Sequence, residues 1–369
     1  MADEESDRVL ESVKDYYGKV LQSRDDLKTG ACISPGKTLS KHIKDAMALV
    51  HVDVESRYYG CGLVIPEMLE DTKILDLGSG SGRDCFILSK LVGEKGQVTG
   101  LDMTDEQLDV ANKYIEYHTT TFGYKKPNVN FVKGFIEKIT DAGLSENFFD
   151  IVISNCVLNL SPDKRAVLRE TFKVLKVGGE LYFSDVYCDR ELDPEVRKHE
   201  VLWGECIAGA LDWKTLFALS EEIGFSRPRL TNVTPVPIEK DEFKKVLGDA
   251  KFCSATYRLF KLPTEKKKRT NVVYNGEITA NPEALVFDHR HTFKTQDIKS
   301  VDGELATILS SSRFCDAFDI QPPATSSCCG AGGCPDPKDD PFEFLAKKEA
   351  EGNLPKPACC SSGPAKKCC

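Results

Sequence analysis

No stretch of the 369-residue sequence approaches the ~20 consecutive apolar residues that a membrane span requires. The start, Met-Ala-Asp-Glu-Glu, has neither the basic opening nor the apolar run of a signal peptide. A cytosolic protein that does not engage a membrane is therefore expected. Positive charge is in deficit: 49 Lys and Arg face 58 Asp and Glu, leaving a net charge of −9 and a pI near 5.4. That balance argues against a nucleic-acid surface as the main partner. Histidine is scarce, with six in all. Neither His51 nor His118 lies in a stretch with catalytic character, and both read as surface or core residues.

Cysteine is abundant by contrast, at 15 residues. A reducing compartment keeps these as thiols that bind soft ions, react, or simply pack. At this length, with 41% hydrophobic and 29% charged residues, the chain can bury a sizeable core and is expected to hold more than one domain.

Residues 73–83, Lys-Ile-Leu-Asp-Leu-Gly-Ser-Gly-Ser-Gly-Arg, read as a strand, a tight glycine turn and the start of a helix. Such a turn brings bare backbone and free helix N–H groups toward a small polar ligand. A dinucleotide fingerprint needs glycine at the position held here by Arg83, which disfavours nicotinamide binding. Asp76 ends the strand, and its charge would repel a phosphate but suits an ammonium or sulfonium group. This Asp-x-Gly-x-Gly-x-Gly form resembles the first motif of S-adenosylmethionine-dependent methyltransferases, although a plain glycine turn has the same local pattern.

An apolar stripe over 6–22 predicts a covering N-terminal helix, followed by a polar loop or cover segment with Cys32. Cys61 sits between glycines behind Tyr58 and Tyr59, where either a ligand approaches or a thiol is buried in a turn. From Lys73 strands and helices alternate. The second strand, Gln97–Leu101, ends at Asp102, where a carboxylate can accept both ribose hydroxyls. Met103 faces an adenine ring or the core. Gly134, Ile136 and Glu137 follow the third strand; there Ile136 packs on adenine and Glu137 accepts from its amino group, or Glu137 simply opens a helix. A continuous helix is expected over Asp105–Tyr117. The fourth strand, Phe149–Ser154, delivers Asn155 and Cys156 to the carboxyl edge of the sheet, where open α/β sheets bind ligands. Asp185 and Cys188 are placed just past a fifth strand, Glu180–Ser184. Cys206 lies among small residues near Trp203, and residues 228–238 add a strand to the same sheet.

The expected fold is an α/β, class I (Rossmann-like) methyltransferase sheet with helices on both faces. It is joined to a small, mainly antiparallel α+β C-terminal domain and a disordered Cys-rich tail. The expected limits are 1–70 for a helical cover and Cys-bearing segment, 71–238 for the cofactor-binding domain, 239–320 for the small domain and 321–369 for the tail. The small domain is expected to include a strand at Ala255–Leu262. The tail thiols are not expected to take part in catalysis, because a mobile segment does not hold a reaction geometry.

Several longer stretches carry a further resemblance: Arg-Tyr-Tyr-Gly-Cys-Gly-Leu-Val-Ile-Pro at 57–66, the glycine turn with its flanks, Ile-Val-Ile-Ser-Asn-Cys-Val, Gly-Gly-Glu-Leu-Tyr-Phe-Ser-Asp-Val-Tyr, Leu-Trp-Gly-Glu-Cys, and Phe-Cys-Ser-Ala-Thr-Tyr-Arg-Leu-Phe-Lys. Together they resemble the arsenite methyltransferases, specifically the animal members, over nearly the whole length. The resemblance implies that Cys61, Cys156 and Cys206 bind trivalent arsenic with Cys32 in support. It implies S-adenosylmethionine as methyl donor, held by Asp76, Gly78, Gly80, Gly82, Arg83, Asp102, Met103, Ile136, Glu137 and Asn155. A thiol reductant, glutathione or thioredoxin, is implied as well, with arsenite and its methylated or glutathione-conjugated forms as partners and a monomeric enzyme. Two rival readings stand beside it: a carbon or oxygen methyltransferase for a small metabolite, and a thiol-rich metalloid-binding protein without turnover.

Overall fold

Alternating apolar strands and amphipathic helices collapse into a twisted central sheet covered on both faces. The structure, a computed structural model, describes residues 2–21, 40–60, 62–321 and 339–352. Three helices come first, α1 (Ala2–Asp15), α2 (Lys41–Met47) and α3 (Val52–Glu55). The chain continues with β1 (Lys73–Leu77), α4 (Arg83–Val92), β2 (Gln97–Asp102), α5 (Asp105–Lys113), α6 (Ile115–Phe122), β3 (Val129–Lys133), β4 (Phe149–Asn155), α7 (Lys164–Val174) and β5 (Leu175–Cys188). Beyond it run α8 (Pro194–Arg197), α9 (Glu200–Gly204), β6 (Leu211–Asp212), α10 (Trp213–Ile223), β7 (Arg229–Pro235), α11 (Asp241–Leu247) and β8 (Phe252–Phe260).

The sheet has the order β3-β2-β1-β4-β5-β8-β7, with β6 paired to β5. The first five strands are parallel, in register through Asp76↔Gly100, Leu77↔Ser154 and Asp102↔Lys133. Their carboxyl ends therefore line up on one edge, which is where Asp76, Asp102 and Asn155 emerge. One face packs Ile74, Val98, Ile151 and Ile153 against Phe86, Leu88 and Val92 of α4. The other packs Leu75, Val152, Leu181 and Phe183 against Val167 and Leu168 of α7 and Leu216 of α10.

After β8 come β9 (Thr270–Tyr274), β10 (Ala284–Val286), β11 (Thr292–Lys294), β12 (Ile298–Val301), α12 (Gly303–Ser311), β13 (Phe318–Gln321) and α13 (Pro341–Ala350). Strand β9 lies between β12 and β13, antiparallel to both, and β10 pairs with β11. A separate apolar cluster of Phe260, Tyr274, Phe287, Phe293, Leu305, Ile308 and Phe314 fills this unit.

Several elements differ from expectation. The strand at 252–260 pairs antiparallel with β5 from Glu180↔Phe260 to Cys188↔Phe252, and so belongs to the central sheet and not to the small unit. This pairing carries β5 to Cys188, which places Asp185 and Cys188 inside the strand. The helix expected over 105–117 is broken at Tyr114, whose φ of −102° and ψ of 7° leave the helical region. The N-terminal helix ends at Asp15, and Tyr16–Val20 forms a wider π-type turn closed by Leu21 N–H on Tyr16 O at 2.9 Å. The segment expected to be a disordered tail includes α13, capped by Asp340, with Leu345 buried and Phe342 and Phe344 packed on the central core. The run Pro-Phe-Glu-Phe-Leu carries enough apolar surface to dock, although the composition around it is poor in such residues.

Candidate functional site

The glycine turn fixes the floor of a cleft at the carboxyl edge of the sheet. Gly78, Gly80 and Gly82 have φ of 69°, 52° and 85°, a left-handed run that side chains disfavour. A Cβ on Gly80 would meet nothing nearer than Gln107 Oε1 at 3.9 Å, so the turn leaves open space above its backbone. A Cβ on Gly82 would strike the Phe131 ring at 2.5 Å, so that glycine serves packing under the turn and does not line the cleft.

Asp76, Gly78, Gly80, Asp102, Met103, Ile136, Glu137, Asn155 and Cys156 all line this cleft. Asp102 accepts N–H bonds from Gly80 at 2.8 Å and Thr104 at 2.8 Å, which aims its carboxylate at the turn. Asp76 receives only the Cys85 thiol, at 3.2 Å. Burial pushes both acids above the ordinary carboxylate range, and the neighbouring Asp84 charge adds to the effect on Asp76. Among the described residues, Ser79 Oγ, Gln107 Oε1 and Glu137 Oε2 of the lining are buried with no hydrogen-bond partner. Desolvated carboxylates without a cation, orphaned acceptors, and Met103 and Ile136 beside them fit a ligand with a positive centre, hydroxyls and an apolar ring.

Arg83 does not line the cleft. Its guanidinium turns to Glu55 at 2.7 Å and Asp84 at 2.8 Å, beneath the face of Tyr58. The cleft roof comes from the N-terminal segment. Tyr17 O–H donates to Gly204 O at 2.9 Å and its ring meets Tyr59 edge-on, while Tyr16 O–H donates to the buried Glu205.

Cys156 follows β4 and Cys206 follows α9, and both hold left-handed backbone, φ 58° and 64°. Such a conformation costs about 1–2 kcal/mol per non-glycine residue, and here it marks both thiol positions. Cys206 Sγ donates to Cys156 O at 2.9 Å, so two cysteines 50 positions apart share one place. Cys156 is disulfide-bonded. Asn159 braces the pair, donating from Nδ2 to Val186 O at 2.6 Å and Cys206 O at 3.4 Å. Close behind lie Asp185, pushed up to about 7 by burial, and Lys164, pushed down to about 8 by burial. Cys32 and Cys61 lie outside the described residues.

Residues 69–251 match the family model of a methyltransferase domain, and residues 267–369 match that of an arsenite methyltransferase C-terminal domain. The human arsenite methyltransferase is 50% identical over 347 residues, which cover 93% of this chain and 92% of the relative. The chain belongs to the arsenite methyltransferase family. A member from Aquipseudomonas alcaligenes is 48% identical over 84% of this chain and 89% of its own length. Among solved structures, the arsenic (III) S-adenosylmethionine methyltransferase from Chlamydomonas reinhardtii matches with a TM-score of 0.74 and 42% identity, covering 78% of this chain and 98% of that one. This family member is accordingly a methyltransferase enzyme. Sequence reasoning did not single out Ser79, Gln107, Asn159 or Lys164. Ser79 lay in plain view between two glycines, whereas the other three depend on which helix or loop face turns inward.

Proposed function

We propose that this enzyme methylates trivalent arsenic, held by the thiolates of Cys61, Cys156 and Cys206 with Cys32 in support, in the cytosolic biotransformation and detoxification of arsenite. The observation that carries the reading is the convergence of Cys156 and Cys206 beside an acidic cleft. Soft thiolates select soft, thiophilic centres. S-adenosylmethionine, when bound, supplies a methyl carbon on a positively charged sulfur.

The chain's own residues then do four things. Asp102, oriented by Gly80 and Thr104, accepts the ribose hydroxyls, and Glu137 accepts at the adenine end beside Met103 and Ile136. Asp76 and Asp102, which line the cleft without a bonded cation among the described residues, favour the cationic end of the donor. The left-handed turns at Cys156 and Cys206 set the two cysteines side by side, so that arsenic held there could present its lone pair to the donor's methyl carbon; the carbon–sulfur bond would break as the carbon–arsenic bond forms, leaving a neutral thioether. That nucleophile carries no proton, so no general base is needed. Alkylation of its lone pair would leave arsenic pentavalent, and a thiol reductant, glutathione or thioredoxin, would supply the two electrons that return it to the trivalent state and would open the disulfide at Cys156.

The test is to incubate the purified monomeric chain with arsenite, glutathione and S-adenosylmethionine and to separate the methylated arsenicals by mass. Cys61→Ser, Cys156→Ser and Cys206→Ser should each abolish the first methylation. Full activity in any one of them refutes the three-thiolate site. Stoichiometric arsenic binding without donor turnover would instead favour a binding protein.

A further inference from the structure

Arg83 occupies the place where a dinucleotide fingerprint has its third glycine, and the structure gives it other work. Its side chain is 7% exposed and spans three partners: Glu55 of α3, Asp84 beside it, and the ring of Tyr58, whose centroid lies 4.0 Å from the guanidinium carbon. Tyr58 O–H in turn donates to Gly62 O. Asn155 Nδ2 donates to that same carbonyl at 2.7 Å and to the Tyr58 oxygen at 2.7 Å. Gly60 is pressed against this grip: a Cβ there would stand 2.5 Å from Tyr58 Oη and 2.8 Å from Asn155 Nδ2. Tyr58 and Gly62 bracket position 61, and Asn155 immediately precedes Cys156.

We infer that Arg83 is a positioning residue for the thiol site, acting through Tyr58 and Asn155 to fix the 58–62 segment against the end of β4, and not a cofactor ligand. A planar guanidinium pinned by two carboxylates presents a flat face for an aromatic ring, which an ammonium cannot reproduce. With that support the phenol oxygen is held where it reaches Gly62 O. Without it the grip of Tyr58 on Gly62 O and on Asn155 loosens. The inference rests on the three-thiolate reading.

The test compares KM for arsenite with KM for S-adenosylmethionine on the full reduced chain. Arg83→Lys should raise the arsenite KM about tenfold while moving the donor KM by less than about twofold. Tyr58→Phe keeps the ring over the guanidinium but loses the hydroxyl, and should shift the arsenite KM in the same direction. The double variant should be no worse than the more severe single one, because both changes loosen one grip. Equal rises in the two KM values, additive effects, or a lowered melting temperature with an unchanged arsenite KM would overturn the inference and leave Arg83 a merely structural residue. If Arg83→Lys does not fold, Tyr58→Phe and Gly60→Ala decide the matter by the same split. Full first-methylation activity in Cys61→Ser removes the three-thiolate reading itself, and the inference with it.

Discussion

Asp76 and Asp102, at the ends of β1 and β2, are buried about as deeply as Glu180 on β5 and Asp288 in the C-terminal unit. Yet the two pairs respond to burial in opposite ways. At the cleft, burial raises both aspartates, because a thiol and backbone N–H groups are their hydrogen-bond partners and, among the described residues, no cation is bonded to either. At the far side of the sheet burial would also raise Glu180, but Arg258 at 2.6 Å and Arg313 at 2.5 Å hold it below the ordinary range. Asp288 is held down by His291 and Arg229, and Asp339 by His289 and Arg290, in each case against the opposing effect of burial. The lesson is one of division of labour. Carboxylates whose charge is matched internally tie the C-terminal unit to the sheet, through Arg258 on Phe287 O at 2.8 Å and Arg313 on Glu67 O at 2.8 Å. Those left unmatched are the ones that the proposed function assigns to the cationic donor.

The sharpest way to break this contrast is Glu180→Gln. It leaves two buried guanidinium groups short of a counter-charge and should lower the unfolding free energy by about 3–5 kcal/mol, read by denaturant titration. The folded fraction should bind S-adenosylmethionine unchanged. Asp76→Asn should do the reverse. It replaces a carboxyl whose ionised form burial disfavours and so should leave stability equal or higher by up to about 1 kcal/mol, while donor affinity falls about tenfold. Loss of stability on the scale of Glu180→Gln would mean that Asp76 is a structural ion after all.

The smallest effect is the pH dependence, which differs in sign between the two regions. Glu180, Asp288 and Asp339 have depressed folded values, so their stabilisation is complete above about pH 4 and is lost as pH falls through those values. Asp185 has a folded value of about 7. It stays protonated in the fold while the unfolded chain ionises, and stability from this group falls as pH rises from about 4 toward 7. Hydrogen exchange below pH 4 should therefore open β9, β12 and β13 before β1, β2 and β4. Simultaneous opening of both sets would erase the distinction.

Much of the cleft lining was legible along the chain. The apolar run at Ile74, the alternate glycines and the spacing to Asp102 are local signals, and the parallel register turns them into a shared edge. Asn155 and Cys156 followed from the same topology. What stayed hidden depended on contacts between distant segments. Nothing in the sequence around Phe252 says that this strand will slot between β5 and β7, since antiparallel strands of either unit carry similar apolar residues. Arg83 could be seen to depart from the dinucleotide pattern, but its partners Glu55 and Tyr58 come from a segment some 25 residues earlier. Leu345 and its neighbouring phenylalanines were masked by the glycine-, proline- and cysteine-rich composition on either side.

The most direct test of the thiol site is arsenic K-edge X-ray absorption on the fully reduced chain loaded with one equivalent of arsenite. The account predicts an arsenic surrounded by three sulfur neighbours and no oxygen, with one sulfur lost and oxygen appearing in Cys156→Ser and again in Cys206→Ser. An arsenic that keeps oxygen ligands in the wild-type enzyme, or a sulfur shell untouched by either substitution, would contradict it.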